Sequence, residues 1–136
     1  MRKLLYGLAS LVIAATMVGS AQAGSNLTKV YKIKPTGASF QHGTLTIQAA
    51  GTKTKVTIAL KGESASADQP AHIHVGNCKH PGDVKIPLTD VVHGMSVTIV
   101  NKPISEVAVT GTSVNVHKSL QELNVYVACG DIQFGM

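Results

Sequence analysis

The chain has 136 residues, a formal charge of +5, two cysteines and six histidines. That length supports one hydrophobic core and is too short for two ordinary domains. Aromatic residues make up only 4% and the lysines are scattered, which argues against a nucleic-acid-binding surface.

In chain order, residues 1–23 read first, as a secretory signal peptide. Arg2 and Lys3 form its charged start, an apolar stretch follows, and Ala21-Gln22-Ala23 supplies the small-residue cleavage site. The apolar run is shorter than the roughly 20 residues a membrane span requires, so no span is expected after cleavage. The remaining domain, 24–136, is mildly basic, and export places it in the periplasm or outside the cell.

That domain reads as short strands separated by Gly, Pro, Asn, Asp and Ser. Strands are expected at 30–34, 44–49 and 55–61. The last two alternate Leu45, Ile47 and Ala49, then Val56, Ile58 and Leu60, with polar residues, and Gly51 between them predicts a hairpin. Further strands are expected at 72–76, 97–100, 107–109, 114–117 and 125–129, where Val and Thr dominate. Helical periodicity is weak, and Ser119 to Leu123 is expected to form one turn. About eight short strands at this spacing predict an all-β fold, a Greek-key antiparallel β-barrel or sandwich.

The chemistry lies in His72-Ile73-His74 and in Val116-His117. Side chains alternate along a strand, so an H-x-H places both imidazoles on one face, with Ile73 on the other. Val114 and Val116 are expected to face inward and His117 outward, under the same layer of loops. An all-imidazole donor set suits copper or zinc better than calcium or magnesium. Cys78 and Cys129 form an even pair in an oxidising compartment, read either as a disulfide or as a thiolate metal pair lacking the close spacing of a structural zinc site.

His80 is a possible additional metal ligand, or else an exposed histidine in a turn beside Pro81 and Gly82. Asp83 reads as a solvated turn carboxylate. His42 and His93 fit turns away from the site. Met95 suits a strand face and Met136 the chain end.

The segments AHIHVGNC, VNVHKS and VACGDI resemble the Cu,Zn superoxide dismutase superfamily, in its copper half only. The resemblance implies a superoxide dismutase-like barrel with one copper per chain. It also implies metal ligands His72, His74 and His117, and a disulfide from Cys78 to Cys129. In that family a long loop after the first disulfide cysteine carries the zinc ligands. Here Lys79 runs almost immediately into Val84 to Leu88, so no structural zinc is expected. Tyr126 stands where the family has an anion-guiding arginine, and reads either as a hydrogen-bond donor over the copper or as a packing residue. Gln121 replaces the family's carboxylate after the late histidine.

These departures leave three readings. The first is exported copper handling: sequestering, buffering or delivering copper, with another exported copper protein as partner. The second is a copper-only superoxide dismutase that converts superoxide to oxygen and hydrogen peroxide. The third is a chordin-like structural module without a functional metal.

Overall fold

Period-two alternation decides which side chains enter the core. Leu45, Ile47, Val56, Ile58 and Leu60 are buried, whereas Thr44, Lys55 and Lys61 on the same strands are exposed. The computed structural model describes residues 27–62 and 68–133; the signal-peptide segment and Met136 lie outside them. Eight strands form: β1 Thr28–Pro35, β2 His42–Ala50, β3 Lys53–Lys61, β4 Ala71–Asn77, β5 His80–Pro87, β6 Met95–Val100, β7 Thr112–His117 and β8 Tyr126–Ile132. One short helix, α1 Ile104–Val107, lies between β6 and β7.

The strands make a single curled antiparallel sheet in the order β5-β4-β7-β8-β1-β2-β3-β6. The pairs β3–β6 and β4–β7 skip their sequence neighbours, which gives the Greek-key crossing. Side chains link the two sheet edges. Just beyond β5, the Thr89 amide donates to Thr98 Oγ1 on β6, and Ser96 Oγ on β6 donates to the Thr89 carbonyl. The expected eight-stranded all-β barrel is the observed architecture.

Two elements differ from the sequence expectation. The predicted strand at 107–109 is absent. Val107 ends the α1 turn and Ala108 caps it, and both are fully buried. Pro103, with φ −65°, starts that turn, and the Ala108 amide closes it on the Ile104 carbonyl at 2.8 Å. The second difference is β5, which occupies the segment expected to be a short connection. Its pairing of Asn77 with His80 leaves only Cys78 and Lys79 in the β4–β5 turn, and Asn77 Oδ1 accepts from the amides of Lys79 and His80 at 3.0 Å.

Cys78 in this turn is disulfide-bonded to Cys129 on β8, with Cα atoms 5.8 Å apart, so the thiolate-pair reading is set aside. In the chain-entropy model, closing a loop of this length stabilises the fold by about 4 kcal/mol. Asp131 Oδ1 accepts from the Cys78 amide at 2.7 Å, a second tie between the hairpin and β8.

Candidate metal centre

Ile73 is fully buried against the core, and its register partner Val114 is buried with it. That places His72 and His74 on the opposite face of β4, where they oppose Asn115 and Ser113 of β7. On the same face, Asn115 opposes Cys129 of β8. His72 is half-buried; His74 and His117 are buried. His117 closes β7 at a register shift against β8, where it pairs with Tyr126. Such an irregularity re-aims a side chain. The His117 amide donates to the Pro70 carbonyl at 2.8 Å, which fixes the strand end beside β4.

The three rings converge. One ring nitrogen from each of His72, His74 and His117 lies within 4.8 Å of the other two. His72 Nδ1 and His117 Nε2 are 2.9 Å apart. His74 Nδ1 is 2.8 Å from the Gly82 carbonyl and His117 Nδ1 is 2.6 Å from the Leu123 carbonyl. A carbonyl only accepts, so both rings donate from Nδ1–H and carry their lone pairs on Nε2. His74 Nε2 is buried and has no hydrogen-bond partner.

The electrostatics favour free lone pairs. Burial pushes the His72 pKa below the usual 6.5; nearby His117 and His74 lower it further, against a smaller opposing pull from Asp90. Burial also lowers His117, partly opposed by its bond to the Leu123 carbonyl, with His74 adding a further lowering. Neutral imidazoles are the metal-binding form. Tyr126 walls the group, its ring centroid 4.8 Å from that of His117 and 6.1 Å from that of His74, nearly perpendicular to the latter at 84°.

The remaining candidates lie apart from this cluster. His80 and Asp83 are exposed on β5, and among the described residues the histidine cluster contains neither. His42 opens β2 in solvent, His93 occupies a turn at φ 49°, and Met95 lies exposed on β6. Gln121 is exposed, and Glu122 pairs with Lys118 at 3.0 Å. Sequence reasoning missed the carbonyls of Gly82 and Leu123. Backbone groups leave no side-chain signature; only recognition of the β4–β5 hairpin would have brought Gly82 to His74.

No family model matches the sequence, and no curated protein matches it. Among solved structures the chain is similar to a point mutant of superoxide dismutase 5 from Candida albicans, with a TM-score of 0.59 and 15% identity over 76% of this chain and 87% of that one. At that identity the likeness establishes the fold, a superoxide dismutase-like barrel.

Proposed function

We propose that this is an exported copper-binding protein that sequesters, buffers or delivers copper through His72, His74 and His117. One observation carries the reading: His74 Nε2 is a buried lone pair without a partner, facing a group of imidazole nitrogens within 4.8 Å. Leaving such a group unsatisfied is costly, and a metal ion supplies the missing partner. The carbonyls of Gly82 and Leu123 hold two of the rings in the ligating tautomer, the usual outer-shell device of metal sites.

Both cysteines are engaged in the disulfide, which leaves an all-nitrogen donor set. For such sites copper binds more tightly than zinc. The two-residue turn after Asn77 leaves little room for a separate zinc loop, in keeping with one copper and no structural zinc. Export to the periplasm or beyond accords with the disulfide and with the signal-like residues 1–23.

Copper bound there would supply reversible one-electron chemistry, which admits a second reading, a copper-only dismutase. The observation favouring it is His72, which is less buried than His74 and His117. Metal content and superoxide turnover, measured together on the oxidised mature protein, decide between them. One copper without appreciable turnover is the expected result. One copper with rapid turnover would make the protein a dismutase, and failure to retain copper would leave a chordin-like structural module.

A further inference from the structure

The lysines are unevenly placed. Strands β1, β2, β3 and β6 carry none of the chain's seven Asp and Glu residues. Their outward positions hold Lys32, Lys34, Lys53, Lys55 and Lys61, all exposed. The ion pairs among the described residues, Lys102–Glu106 and Lys118–Glu122, lie elsewhere. On the β8 side, Asp131 is engaged with the Cys78 amide.

Register shows what lies between these cations. Val30, Thr46, Thr57 and Val97 oppose one another in a row across all four strands. The adjacent row on one side runs Lys32, Thr44, Ala59 and Met95; on the other side Gln48, Lys55 and Ile99 are opposed. Val30 is 62% exposed and Ile99 57%, with Met95 and Val97 close behind. A groove of about 750 Å³ opens on this face between Lys32, Lys34 and Lys61, with Gly43 and Ala59 in its lining.

We infer that the outer face of β1–β2–β3–β6 docks on an anionic phospholipid bilayer. The face combines cations of one sign with exposed aliphatic side chains set between them. A bilayer surface offers both complements, phosphates in the headgroup layer and an apolar boundary some 5–10 Å deep. Lysine stems lie along apolar surface while their ammonium groups stay with the phosphates. The groove places a headgroup phosphate among three lysines. An acidic protein segment would satisfy the charge but not the four exposed aliphatic residues, and the outside of a curled sheet is convex, a shape suited to resting on a surface rather than enclosing a chain.

The proposal does not depend on the metal site. Its test is co-sedimentation of the mature, oxidised protein with phosphatidylcholine vesicles, with and without phosphatidylglycerol. Binding is expected only to the phosphatidylglycerol vesicles and should weaken with salt. Lys32→Ala and Lys61→Ala should each lower the partition coefficient about fivefold. Lys85→Ala and Lys118→Ala remove the same charge from other parts of the surface and should have much smaller effects. Val97→Ser should weaken binding while leaving the charge unchanged. Equal losses from all four lysine variants would overturn the assignment, as would no binding to anionic vesicles. Tighter binding to polyglutamate than to the vesicles would also overturn it, in favour of an acidic protein partner.

Discussion

His74 is held by two opposite demands. Its Nδ1–H is committed to the Gly82 carbonyl, while its Nε2 is buried with nothing to accept from. His74→Ala should therefore lower copper affinity by at least about a hundredfold, since even outer-shell losses cost 10–100-fold. His93→Asn should change little, because His93 occupies an exposed turn at φ 49° and Asn tolerates that conformation. Competition against a copper chelator measures both, and equal losses would contradict the ligand assignment. Tyr31 presents a different orphan, a buried hydroxyl with no hydrogen-bond partner, outside the histidine cluster. Tyr31→Phe removes that unsatisfied group and should raise stability by about 1 kcal/mol. Burial raises the Tyr31 pKa above 10.0 in the fold. The unfolded chain releases this proton as the pH passes 10 while the fold keeps it. The linked stability is thus complete below pH 10 and lost as the pH rises toward the higher folded value. Urea unfolding at pH 7 and above pH 10 should show a steeper alkaline decline in wild type than in the Phe variant.

At the scale of elements, β5 matters through its backbone. Gly76, at φ +92°, shapes the end of β4, and a Cβ there would lie 2.3 Å from the His80 carbonyl oxygen. Gly76→Ala should displace the β4–β5 hairpin and with it the Gly82 carbonyl that orients His74. A loss in copper affinity of about tenfold is expected from this outer-shell change. The same chelator titration, with peptide mapping to confirm that Cys78 and Cys129 remain linked, tests it; unchanged affinity would show that β5 does not position the ring. The strand was hidden in the sequence because it is a sheet edge with a single buried apolar side chain, Ile86. Pro81, Gly82 and Asp83 are the residues of a turn, and here pairing with β4 overrides them. Val107 to Val109 misleads in the other sense: valine favours strands, yet Pro103 starts a turn that buries two consecutive residues. By contrast, the β2–β3 hairpin and the His72–His74 face were legible, since both follow from alternation, which the sequence displays directly. The convergence of His117 with that face was carried by the family resemblance, because no local pattern records that β7 lies beside β4.

Across the whole molecule, the histidine cluster and the lysine-rich face are carried by different parts of the sheet. The histidines belong to β4 and β7, while the strands without Asp or Glu are β1, β2, β3 and β6. Against the imidazoles, Tyr126 supplies an aromatic wall rather than a cation. Electrostatic steering works by focusing an anion into the reacting site, and its rate falls steeply as salt screens the field. A protein built this way attracts anions diffusely and guides them poorly. Any superoxide turnover by the copper-loaded protein should consequently fall well below the diffusional ceiling and respond weakly to ionic strength. Tyr126→Arg places a cation beside His117 and should steepen the salt dependence, in whichever direction crowding moves the absolute rate. Turnover of both proteins across a salt series is the measurement. A wild-type rate near diffusion control that drops sharply with salt would mean that steering operates without a cation at position 126, and would move the protein from copper handling to catalysis.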